Sequence, residues 1–145
     1  MLEVEHLYSG YQNVAVIQDV NFNLKAGQIT GLIGLNGAGK STLLKTILGL
    51  LPIQSGRVAI NQQTLDQDHQ AYARQIAYIP ETPILYEGLT LQEHIEMTAL
   101  GYGLDRQTAL DRAQPLLERF RLAQNLNWFP THFSKGMKQK VMVIC

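Results

Sequence analysis

One stretch constrains this chain more than any other: Gly34-Leu35-Asn36-Gly37-Ala38-Gly39-Lys40-Ser41-Thr42. It fits G-x-x-x-x-G-K-[ST], a loop whose backbone cradles phosphates. Gly34, Gly37 and Gly39 lack Cβ atoms, so the backbone can adopt conformations closed to other residues and approach an anion closely. Successive N–H groups then form a concave nest, and the helix that follows adds free N–H groups and its positive dipole end. Lys40 is placed to reach terminal phosphates, and the Ser41 hydroxyl to ligate Mg²⁺.

A glycine-rich turn ahead of an ordinary helix is the plain alternative. The four fixed positions arise by chance in about one of several hundred chains of this size. The flanks reduce that further. Gln28-Ile29-Thr30-Gly31-Leu32-Ile33 reads as a buried strand. Leu43, Leu44, Ile47 and Leu48 then recur at helical spacing, with Gly49 at the expected stop. Strand, loop and helix follow one another in the order a nucleotide site requires.

The 145 residues make one ordinary domain, and a hydrophobic content of 46% supports a core. Twelve basic and 12 acidic residues cancel, which removes the electrostatic case for nucleic acid as a partner. The single cysteine, Cys145, excludes an internal disulfide and a cysteine zinc site. The first residues lack a signal-peptide pattern, and no apolar run reaches the ~20 residues needed to span a bilayer. A cytoplasmic chain that meets a membrane only through partners is the expectation.

In chain order, Leu2, Val4 and His6 alternate as in a half-exposed antiparallel strand, and Ser9-Gly10 reads as a turn. Val14 to Leu24 resumes the period-two signal. Tyr11 is an aromatic able to stack on adenine; a surface tyrosine is an equal reading, and Tyr8 is a rival. Arg57 to Asn61 reads as a strand, Asp68 to Gln75 as a short helix, and Ile76 to Pro80 as a strand parallel to the one before the loop. Glu81, just past that strand, is either a hard oxygen donor for Mg²⁺ or a solvated loop acid. Thr90-Leu91-Gln92-Glu93 has capping-box spacing for a helix to about Leu100. A pattern from Leu110 to Phe120 follows, broken or kinked by Pro115. Ser134 reads as the N-cap of a last helix from Lys135.

Phe133-Ser134-Lys135-Gly136-Met137-Lys138-Gln139-Lys140 resembles the signature motif of ATP-binding cassette proteins, L-S-G-G-Q followed by basic-Gln-basic. Ser134 and Gly136 match; Phe133 is a conservative departure, and Lys135 and Met137 replace Gly and Gln. The form is similar to that of cassettes serving bacterial exporters. A hydroxyl and free N–H groups at a helix start also suit a second phosphate site.

The resemblance implies an α/β fold: a P-loop NTPase (RecA-like) core with an antiparallel β subdomain at the N-terminus and a helical subdomain. Residues 1–84 would carry the β subdomain and partial core, and 85–145 the helical subdomain ending in the signature helix. The chain resembles roughly the first three-fifths of a cassette, stopping before the Walker B strand and catalytic Glu. The implied cofactors are ATP and Mg²⁺. Tyr11 would stack on adenine; Asn36, Gly37, Ala38, Gly39, Lys40, Ser41 and Thr42 would hold phosphates. Ser41 and Glu81 would meet Mg²⁺, with Lys40 and Glu81 as catalytic candidates, and Ser134 and Gly136 would act in trans. Implied partners are polytopic membrane subunits and a second cassette, in a head-to-tail homodimer or heterodimer at the inner face of the plasma membrane. Family-level ATPase activity coupled to export is the leading expectation, with the isolated chain weak or inactive. A soluble cassette ATPase of translation or DNA repair, and a non-catalytic interaction fragment, are the alternatives.

Overall fold

A computed structural model describes residues 1–12 and 14–145, which form two units, Met1–Tyr78 and Ile79–Cys145. In the first, β1 (Leu2–Tyr11) pairs antiparallel with β2 (Val14–Leu24) on one side and β3 (Ile53–Ile60) on the other. β3 also pairs with β4 (Gln63–Thr64), giving the order β2-β1-β3-β4. Helix α1 (Lys40–Ile47) packs Leu43 with Val4, Leu7, Ile17, Val58 and Tyr72, the last from α2 (His69–Ala73). The antiparallel N-terminal sheet is as expected.

Strict alternation would carry His6 inward after Val4 and turn Leu7 out. The strand does otherwise. The β1–β2 register shifts between Val4 and Leu7, His6 takes φ 45°, and Val4 and Leu7 are both buried. Burying a leucine contributes roughly 1.5–3 kcal/mol, against about 1–2 kcal/mol for one left-handed residue. Local bonds also offset the strain: Asn21 Oδ1 accepts the His6 N–H at 2.7 Å, and His6 Nδ1 lies 2.7 Å from Asp19 Oδ1. Hydrogen bonds from His6 and then Asn21 hold the Asp19 carboxyl below its ordinary pKa. The bulge presses on β3, where a Cβ on Gly56 (φ 91°) would lie 2.2 Å from the His6 carbonyl oxygen. Only glycine fits there.

Three other expectations of the first unit change. Ser9-Gly10 is not a turn; it lies inside β1, with Ser9 fully buried. Ser9 donates to the Pro52 carbonyl at 2.8 Å, and the Thr46 hydroxyl is shared between Ser9 Oγ and the Thr42 carbonyl, each at 2.8 Å. Gln28–Ile33 and Ile76–Pro80 are not strands. A strand needs a ladder, and among the described residues none pairs with either segment. Ile29 and Ile33 are therefore exposed, at 101% and 95%.

The second unit holds α3 (Leu91–Gly101), α4 (Arg106–Arg119) and α5 (Lys135–Ile144). Their shared core is Leu91, Ile95, Ala99, Ala109, Ala113, Leu117, Leu122, Phe133 and Val141. Thr90 and Glu93 form the capping box that their spacing predicts. Glu93 Oε2 accepts from the Thr90 N–H at 2.7 Å and its hydroxyl at 2.8 Å. Asp105 caps α4 by accepting the Thr108 N–H at 3.0 Å. Pro115 does not divide α4. The one bond it forfeits would have reached the Asp111 carbonyl, and both residues are exposed, so the loss falls on the solvent side of the helix.

Two outcomes test this packing. Leu117→Ala should lose about 2–5 kcal/mol in a denaturant titration followed by helical signal, while Leu100→Ala, 76% exposed, should stay within about 0.5 kcal/mol. Hydrogen bonds from the Thr90 backbone and then its hydroxyl hold the Glu93 pKa below its ordinary 4.5. The carboxylate is favoured by folding, so its contribution is complete above pH 4.5 and fades as pH falls through the lower folded value. Midpoints of urea unfolding for Glu93→Gln should accordingly fall less than the parent's between neutral pH and pH 4.

Candidate functional site

The loop before α1 is built by local backbone geometry. Gly37 and Gly39 take φ 84° and 85°, and Ala38 N–H donates to the Leu35 carbonyl at 3.2 Å. Gly39 has a second reason to be glycine, since an added Cβ would lie 2.8 Å from Ile17 Cγ2. The left-handed turn reverses the chain so that α1 begins at Lys40 with no side chain capping it. The bond from Leu43 N–H to the Gly39 carbonyl, at 2.9 Å, opens the helix. The N–H groups of Lys40, Ser41 and Thr42 thus have no helical acceptor. No acidic side chain occupies that first turn.

These groups converge on a cavity of about 320 Å³ lined by Val16, Asn36, Gly37, Gly39, Lys40, Ser41 and Thr42. The Lys40 ammonium turns back over the loop and donates to the carbonyls of Gly34 and Leu35 at 2.6 and 2.7 Å. Ser41 is exposed while Thr42 is buried, so Ser41 presents its hydroxyl more openly. Free amides, a helix N-terminus and an ammonium that, among the described residues, has no carboxylate partner fit a polyphosphate. A larger cavity, about 650 Å³, lies along Gly49–Val58 and Tyr72. It abuts the C-terminal end of α1, where the dipole disfavours anions.

Tyr11 ends β1, is 45% exposed as a residue, and is not among the cavity-lining residues. Tyr8 is half-buried within β1. Val16, which the sequence pattern did not single out, lines the cavity from β2.

In the second unit Glu81 is exposed in a bend. Ser134 Oγ caps α5 by accepting the Met137 N–H at 3.3 Å, leaving its own proton available. A Cβ added at Gly136 would meet nothing, and its φ is not positive. No contact among the described residues therefore demands a glycine there, although glycine costs a helix roughly 0.5–1 kcal/mol relative to alanine. Local rules are broken most readily where a ligand or partner approaches. The loop after Glu81 is held by a residue the motifs did not reveal. Buried His94, with Nδ1 against the Thr90 carbonyl at 2.8 Å, accepts the Tyr86 N–H on Nε2 at 2.9 Å. A histidine four residues after the cap, on the apolar face of α3, was the available signal.

The two glycines should respond in opposite ways. Gly39→Ala should abolish phosphate-loop geometry, lowering nucleotide affinity by more than about tenfold, because both φ and space forbid it. Gly136→Ala should raise stability by a few tenths to about 1 kcal/mol in the same denaturant titration.

Residues 17–145 match the family model for ABC transporters. The ABC-type transporter ATP-binding protein EcsA of Bacillus subtilis (strain 168) is 52% identical over 145 residues, covering 100% of this chain and 59% of that protein. A solved ATP-binding subunit of an ABC transporter is 51% identical with a TM-score of 0.91, over 100% of this chain and 60% of that one. The cbiO1 structure from Clostridium perfringens, described as part of the ABC transporter complex cbiONQ, shares the fold at 24% identity and a TM-score of 0.84, over 99% of this chain and 59% of that one. The chain thus spans about three-fifths of the length of these relatives. With a match from residue 17 to 145 and these likenesses beside it, the chain belongs to the ABC transporter family.

Proposed function

We propose that this chain binds ATP as part of the ATP-binding subunit of a transporter, coupling ATP binding and hydrolysis to substrate movement through separate membrane subunits. The observation that carries the reading is the uncapped start of α1, with Lys40, Ser41 and Thr42 around one cavity. Asn36 to Thr42 hold the phosphates, and Lys40 exchanges the Gly34 and Leu35 carbonyls for phosphate oxygens. Ser41 and Glu81 are the proposed oxygen donors to Mg²⁺, an ion that supplies neutralisation of charge on the terminal phosphates. Tyr11, exposed at the end of β1, is the proposed adenine-stacking ring.

Ser134 and the open face at Gly136 suit a second anion at the start of α5, presented to the ATP of another cassette in a head-to-tail pair. Residues 1–84 are the proposed β and core part of the subunit and 85–145 its proposed helical part; the two compact units divide nearby, between Tyr78 and Ile79. Among the described residues no helix is long and apolar enough to cross a membrane, which accords with attachment at the inner face through partner subunits. The similarity to EcsA favours a transporter subunit, and the Ser134–Lys140 pattern an exporter.

On this reading the chain binds ATP. Equilibrium dialysis with labelled ATP should show binding that Lys40→Ala weakens by about 10- to 100-fold, the effect of losing charge-assisted hydrogen bonds. Unchanged binding in Lys40→Ala would overturn the phosphate assignment.

A further inference from the structure

Gln139 lies on α5, one turn beyond the Ser134–Gly136 segment, and its amide makes two bonds of one kind. Nε2 donates to the Pro80 carbonyl at 3.1 Å and to the Glu81 carbonyl at 2.6 Å. Both partners are carbonyl oxygens, so only the NH₂ end of the side chain satisfies them. Two successive carbonyls held from a single nitrogen fix the plane of the peptide that joins Pro80 to Glu81. They also fix the direction in which the Glu81 side chain leaves the backbone. The anchor itself is stiff: Phe133 and Val141 bury α5 in the core of the second unit, and Met137 and Ile144 pack against it.

Glu81 has little else to hold it. It is exposed, and Pro80 has no N–H with which to bond. The next tie along the loop is the Tyr86 N–H to His94. Without the Gln139 amide the acid would sit on a free segment of chain, and a metal donor on a free segment must be ordered at the moment of binding.

We propose that Gln139 is a positioning residue for Glu81, setting the loop acid so that its carboxylate meets the metal of Mg·ATP. The inference rests on Glu81 as a metal donor, which belongs to the function proposed above. Gln139 touches neither nucleotide nor metal; it acts through the backbone of Pro80 and Glu81. The same helix that offers Ser134 therefore also orients Glu81.

The test uses the full-length protein with Mn²⁺ as the metal probe and a non-hydrolysable ATP analogue, bound Mn²⁺ being read by electron paramagnetic resonance. Gln139→Ala should raise the Mn²⁺ half-saturation about tenfold, the usual effect of losing an outer-shell partner. Gln139→Glu, which keeps the size and loses the donor, should do at least as much. Amide exchange at Thr82 and Ile84 should quicken while that of α3 does not change. In a Glu81→Ala background, Gln139→Ala should add nothing further to the half-saturation. Equal losses in the presence and absence of Glu81, or an unchanged half-saturation with Gln139→Ala, would overturn the inference. Analogue binding measured in EDTA separates the two readings. If the parent protein binds no analogue, the proposed function fails; if it binds and only the Gln139 effect is missing, the positioning role alone fails.

Discussion

A buried pair of hydroxyls, Ser9 on β1 and Thr46 on α1, ties the phosphate-loop helix to the sheet beneath it. Each is polar in an apolar surrounding, and each is tolerable only because every proton has an acceptor: Ser9 gives its own to Pro52, and Thr46 divides its own between Ser9 and Thr42. The position of α1 depends on that chain of donors. Apolar contacts through Leu43 would hold the helix close but would allow it to slide, whereas a satisfied polar network fixes it. The cavity at the helix start takes its shape from both.

The bulge in β1 belongs to the same logic. Central in its sheet, β1 must present Val4 and Leu7 to one core at a spacing that plain alternation forbids. A left-handed His6, a register shift and a glycine on the neighbouring strand solve the problem together. None of the three makes sense singly. A Cβ at position 56 would collide with the His6 carbonyl, and a β-region His6 would expose Leu7.

What was legible in the sequence was local. The phosphate loop, the Thr90–Glu93 box, the Ser134 cap and the stop after α1 are each written within a few residues, and each stands where its spacing places it. Ser9-Gly10, by contrast, has turn composition but lies in a strand, because the buried hydroxyl finds partners 37 and 43 residues away. Gln28–Ile33 has strand composition but no ladder among the described residues, since strand character is completed by another segment. Gln139 was quoted only as part of a motif; that it grips a loop 58 residues earlier is a fact of packing. The candidate site followed the same division: the glycine turn and helix start were readable, and the bonds that hold the Pro80–Glu81 backbone were hidden.

The Lys40 ammonium, folded onto the Gly34 and Leu35 carbonyls, bears on how tightly the loop can hold anything. A cation with no partner would gain the whole Coulomb attraction of an arriving phosphate. This one must first surrender two short bonds, so capture is an exchange and its net gain is modest. The same arrangement works in reverse. When an anion departs, the lysine has acceptors waiting within the loop, and no bare charge is stranded. Such a loop is suited to repeated filling and emptying rather than to permanent occupancy.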